Sequence, residues 1–112
     1  MADVLGAFEQ AVLLSLVRPV TRLGKEAYGR AILTEVQHRL GRDVAAGAVY
    51  ATLDRLEQKG LISSELDAGT AVRAGRPRRC YAIEPAGVRA LNDAKAATDR
   101  LHAGMRWPIK GV

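Results

Sequence analysis

Four stretches of the chain place apolar residues three and four positions apart, the spacing of one face of an α-helix. Leu5, Phe8, Val12 and Leu16 predict a helix over 5–17, with Asp3 as N-cap and Pro19 as its stop. Tyr28, Ile32, Leu33, Val36 and Leu40 predict a second over about 25–40, closed by Gly41. After the short turn GRDVAA, Val49, Leu53 and Leu56 share one face of a third helix over about 46–59 that ends at Gly60. Its opposite face, Gly47, Ala51, Asp54 and Gln58 with Arg55 beside them, is small or polar and would stay free for a partner.

The pattern then changes. LISSEL (61–66) and RRCYAI (78–83) are strand candidates around a loop that holds two glycines and a proline, which reads as a hairpin with a long tip. Pro85 opens the last helix, where a proline at the first position is favoured. That helix is expected to run to about Met105. Leu91, Ala94, Thr98, Leu101 and Met105 form a narrow seam of the coiled-coil type, weakened by its Ala and Thr. Trp107-Pro108 ends the pattern.

Composition narrows the class. A chain of 112 residues with 48% hydrophobic residues suits one domain with a small core. The core must be built of Leu, Val, Ile and Ala, because aromatics are only 4%. The expected fold is therefore mainly α with a small β-hairpin. Cys80 is the single cysteine, so no internal disulfide forms, which suits a reducing, cytoplasmic setting. One cysteine with His38 and His102 makes no zinc cluster, and no cofactor or metal is expected. The run AVLLSLV (11–17) is too short to span a bilayer and no basic segment precedes it, so no membrane partner is expected. A phosphate-binding glycine loop, a nucleophile elbow and an informative His–carboxylate pair are all missing, which argues against an enzyme.

Charge points to a partner. The net charge is +5, and the window VRAGRPRRCYAI (72–83) carries four arginines and no acid. Excess positive charge of this kind favours a polyanion, nucleic acid first. Helix, helix, turn, helix and hairpin is the order of a winged helix-turn-helix, in which the third helix enters the major groove of double-stranded DNA. The hairpin tip, the wing, then runs over phosphates or into the minor groove. Arg73, Arg76, Arg78 and Arg79 flank its tip, and the planar arginine fork suits phosphate. On this reading residues 1–84 are the DNA-binding domain and residues 85–112 a dimerisation helix and tail.

These same residues resemble the PadR family of bacterial transcriptional regulators. The likeness is carried by LGAFEQAVLLSLV, AYGRAIL, GAVYATLDRLEQKGLI and GRPRRCYAIEPAGVRAL. LEQKGLI occurs in many winged helices, whereas the Tyr of AVYATLDRL followed by GRPRRCYAI and PAG is far more specific. The resemblance implies a homodimeric DNA binder, usually a repressor released by a small effector, with the C-terminal helix as dimer arm of the shorter type. It brings Tyr50 near the DNA backbone, with Thr52 beside it. Arg55 is the basic residue best placed on the outer face; Lys25 and Arg30 are second-helix candidates for phosphate. Phe8 and Trp107 are candidates for an apolar or aromatic effector, with plain packing as the other role. Two departures stand out: Glu84-Pro85 where the family often has Thr before its last helix, and an alanine-rich wing, AGTAVRAG.

Other readings remain at this stage. A winged helix can serve as a protein-interaction module without DNA, or belong to another regulator family with a different effector. Four arginines on the wing favour DNA, because a DNA-free module has less need of them. Base readout looks thin, since Gly47, Ala48 and Ala51 offer only close approach or a methyl contact to thymine. Cys80 is read as a small buried side chain, with redox sensing as the rival. His38 and His102 are read as surface or interface residues.

Overall fold

A computed structural model describes residues 5–17, 28–67 and 78–111. The described elements are α1 (Ala7–Val17), α2 (Gly29–Leu40), α3 (Ala46–Gln58), β1 (Ile62–Asp67), β2 (Arg78–Ile83) and α4 (Pro85–His102). This is the expected mainly helical fold with one antiparallel hairpin.

Helix α1 is the axis of the molecule. It contacts α2, α3, α4 and β2. Three consecutive residues, Ala11, Val12 and Leu13, are therefore buried together with Ser15, a wider face than the i, i+3, i+4 stripe implies. Ser15 avoids an unmet donor by giving its hydroxyl proton to the Val12 carbonyl at 2.6 Å. Around this axis lie Ile32 and Val36 of α2, Val49, Leu53 and Leu56 of α3, and Ile62 and Tyr81 of the hairpin, all buried.

The expected spans of two helices need correction. Helix α2 begins at Gly29 rather than Lys25, because Tyr28 is extended at φ −87°, ψ 157° and forms an antiparallel bridge with Cys80 of β2. Periodicity cannot distinguish a residue that begins a helix from one that pairs with a strand. Helix α4 stops at His102 rather than Met105. Ala103 leaves the helix at ψ 134° and Gly104 takes a left-handed φ of 82° that glycine accepts without strain. The chain then turns so that the Trp107 ring meets the His102 ring, centroids 4.7 Å apart.

The turn between α2 and α3 is fastened by one side chain that periodicity did not single out. Gly41 caps α2 with a left-handed φ of 69° and donates its N–H to the Gln37 carbonyl at 2.9 Å. The Gln37 Oε1 accepts the Val44 N–H at 3.0 Å, so one glutamine holds both sides of the turn. Asp3 and Lys25 lie outside the described residues.

Candidate nucleic-acid interface

Helix α3 buries Val49, Leu53 and Leu56 and leaves Gly47, Ala48, Ala51, Asp54, Arg55 and Gln58 exposed. The free outer face expected from the sequence is thus present, and it is flanked by the hairpin. In the hairpin register Ile62 faces Ile83, Ser64 faces Tyr81 and Leu66 faces Arg79. Strand side chains alternate between faces, so these six residues share one face. At its base this face is core, with Ile62 and Tyr81 buried. Further out it opens, with Leu66 and Arg79 exposed.

Of the expected site residues, Tyr50 and Arg55 keep exposed side chains on α3. Thr52 does not: it is 2% exposed, so a direct contact with an outside partner is ruled out for it. Its position one step from the Val49–Leu53–Leu56 stripe turns it inward. Its hydroxyl oxygen instead accepts Nη2 of Arg55 at 3.1 Å and so fixes how that guanidinium leaves the helix. The Tyr50 ring lies against Gly29, the first residue of α2. This contact ties the middle of α3 to the start of α2.

On the wing, Arg73 and Arg76 lie outside the described residues. Arg78 takes its place in β2 opposite Asp67. Arg79 is exposed, and its Nη1 donates to the Ser64 hydroxyl at 2.9 Å. Ser64 in turn donates to the Glu57 carboxylate of α3, at 2.8 and 2.9 Å from its two oxygens. Burial pushes the Tyr81 hydroxyl above its usual value of 10.0; Arg79 opposes this, and Asp54, Tyr50 and Glu57 add to it. Tyr81 therefore stays neutral at the meeting point of the hairpin and α3. The sequence reading missed Gly29, Glu57, Ser64 and Tyr81, none of which stands out without knowing the hairpin register.

The expected dimer seam divides in two. Leu91 is half-buried against the chain's own core and Ala94 is 4% exposed within it. Thr98 is exposed, and Leu101 is 77% exposed. Met105 lies beyond α4, 55% exposed. Phe8 packs against the core from α1, whereas Trp107 is 59% exposed beside His102. Cys80 is half-buried in β2. Among the described residues no group of three His, Cys, Asp or Glu could hold a metal, and no helix is long and apolar enough to cross a membrane.

Arg30 is exposed in the first turn of α2. Together these features give a helix with an open polar face, one oriented arginine upon it, and a hairpin that returns through an arginine pair. Such a surface offers forked donors for anionic oxygens beside a small-residue face that permits close approach.

Comparison with known proteins agrees with this architecture. Transcriptional regulator Rv3488 of Mycobacterium tuberculosis is 42% identical over 76 residues, which are 68% of this chain and 66% of that protein, just under two thirds of its length. The structure of RosR of H. salinarum superposes with a TM-score of 0.67 at 26% identity, over 95% of this chain and 84% of that one. A PadR family transcriptional regulator from Eggerthella lenta superposes with a TM-score of 0.62 at 28% identity, over 88% of this chain and 80% of the other. The model of the transcriptional regulator PadR-like family matches residues 20–93, which take in α2, α3, the hairpin and half of α4. With that match, the winged-helix fold and the regulators it resembles, the chain belongs to the PadR-like family of transcriptional regulators, a family of regulators rather than enzymes.

Proposed function

We propose that this regulator binds double-stranded DNA as a homodimer, with α3 in the major groove and the wing over the adjacent phosphates. The observation that carries this reading is the open face of α3, with Arg55 oriented by Thr52, beside a hairpin that feeds the arginine-rich segment 72–79. Arg55 and Tyr50 contact DNA from the helix; Arg73, Arg76, Arg78 and Arg79 contact it from the wing. Thr52 acts through Arg55. Residues 1–84 form the DNA-binding domain, and residues 85–112 form the dimer arm and tail.

Pairing runs through the outer half of α4, where Leu101 and Thr98 are exposed, and through Met105 beyond it. At 1.5 Å per residue the 18-residue α4 is about 27 Å long, enough to hold two copies of α3 about one DNA turn (roughly 34 Å) apart. The protein acts in the cytoplasm, as a repressor relieved by a small apolar or aromatic effector for which Phe8 and Trp107 are the candidate contacts.

Affinity should be dominated by phosphate. Three phosphates neutralised per dimer half give a log–log salt slope of roughly −5. The test is fluorescence anisotropy of a labelled duplex taken from upstream of the protein's own gene, titrated over a range of salt. A slope near zero would refute the DNA reading.

A further inference from the structure

The hairpin and α3 are joined by a chain of three side chains with a single direction. Glu57 only accepts hydrogen bonds when ionised, and Arg79 only donates them. The Ser64 hydroxyl does both. Its proton points at the Glu57 carboxylate, at 2.8 and 2.9 Å, so its lone pair is left for Arg79 Nη1 at 2.9 Å. Each bond is charge-assisted, and bonds in series strengthen one another.

Position explains why a serine stands there. Ser64 shares the inner face of the hairpin with Ile62 and lies opposite Tyr81, at the level where the buried base gives way to the exposed outer end. It is half-buried, and it reaches α3 one turn after the Arg55–Thr52 pair. Among the described residues no carboxylate forms an ion pair with Arg79 itself. The serine is the link through which the helix holds it.

We infer that Ser64 and Glu57 are positioning residues that hold the Arg79 guanidinium at the seam between wing and α3, ready for a phosphate. The inference rests on the DNA-binding reading. Arginine has five N–H donors, and among the described residues Ser64 engages one nitrogen, so the rest of the fork is taken as available for anionic oxygens. A long side chain ordered before binding loses less freedom on contact, which favours affinity without adding a contact. The aim of Arg79 is thereby set from α3, which links the helix and the hairpin at this point.

The experiment compares wild type, Ser64→Ala, Ser64→Thr and Arg79→Ala in two measurements. The first is anisotropy on a short mixed-sequence duplex against salt. Ser64→Ala should weaken binding by about three- to tenfold, the range of one hydrogen bond, with the salt slope unchanged. Ser64→Thr, which keeps the hydroxyl, should restore it. Arg79→Ala should flatten the slope by about 0.9 for each protomer, as loss of one phosphate contact does. The second is NMR relaxation of the Arg79 Nε–Hε group in the free protein, which should be restricted in wild type and released in Ser64→Ala. Wild-type affinity in Ser64→Ala, or failure of Ser64→Thr to recover it at an unchanged melting temperature, would overturn the inference. Wild type with no salt-dependent binding would sink the DNA reading instead. The NMR comparison then still decides the relay, and equal mobility in the two proteins would end it.

Discussion

The Tyr50 ring fills the space above Gly29 that a side chain there would need, its hydroxyl and ring edge lying where a β-carbon would stand. Helices α2 and α3 are set against each other partly by this contact. Gly29→Ala must displace the ring or separate the helices. Because the atoms in the way are the tip of a Tyr50 side chain that is 44% exposed and can swing aside, we expect stability to change by only about 1 kcal/mol or less, the helix preference of alanine offsetting part of the cost, measured by chemical denaturation. DNA affinity should fall further than stability alone accounts for, because Tyr50 is moved. A Gly29→Ala protein that is as stable and as tight-binding as wild type would show that the contact is not a constraint.

Tyr81 gives a pH prediction. Its hydroxyl is held above 10.0 first by burial, with Arg79 pulling the other way. A group whose folded value lies above its unfolded value favours folding fully below the unfolded value, and that contribution is lost as pH rises through the folded one. The protein should therefore lose stability on the alkaline side, above about pH 10. Tyr81→Phe should remove most of that alkaline loss. Thermal melts from pH 8 to 11, read beside the tyrosinate absorbance, test both.

Thr52 separates orientation from contact. Thr52→Val keeps the shape but deletes the acceptor for Arg55. Stability should change by about 1 kcal/mol or less for one partly exposed bond, while DNA affinity falls towards that of Arg55→Ala. Combining Thr52→Val with Arg55→Ala should cost little more than Arg55→Ala alone, as expected of residues acting as a pair. Additive losses would assign Thr52 a separate role.

Leu101 tests the pairing surface. A leucine 77% exposed on α4 costs a free chain little to replace. Leu101→Glu should leave the fold and its melting temperature near wild type in the monomer, yet shift mass in light scattering from dimer to monomer. A wild-type chain that scatters as a monomer at micromolar concentration would exclude the dimer altogether.

The wing arginines should grip without reading sequence. Arg76→Ala combined with Arg78→Ala should weaken binding to specific and unrelated duplexes by the same factor and flatten the salt slope, because phosphate contacts carry no base information. Unchanged affinity would mean that these arginines are solvated and idle.

Much of this architecture is legible in the sequence because its helices obey simple spacing. Val49, Leu53 and Leu56 announced both the core face of α3 and, by difference, its open face. Arg78 and Arg79 lay in a strand bounded by Pro77 and Pro85, and β2 spans Arg78–Ile83 as expected. What escaped depends on contacts between segments distant in sequence. Thr52 entered as a site residue only beside Tyr50 through the family resemblance, and the spacing that marks Val49, Leu53 and Leu56 does not single it out, yet it lies at the edge of that buried stripe. Tyr28 looked helical because its spacing to Ile32 is four, yet its backbone belongs to the sheet. Ser64 and Glu57 meet only once the register places Ser64 opposite Tyr81, and spacing along one chain carries no such information. Ala94 read as part of a seam for a second copy, while the body of the same chain already covers it.

The junction of wing and arm has a mechanical meaning. Glu84 alone separates β2 from α4, and its N–H donates to the Leu61 carbonyl at 2.9 Å. One turn on, Gly87 lies so close to that carbonyl and to Ile83 that a β-carbon would strike both. The hairpin and the start of α4 are therefore set as one piece: the corner has no room for a side chain at Gly87, and its single linking residue is tied back to β1's approach, so the angle between β2 and α4 is built into the backbone.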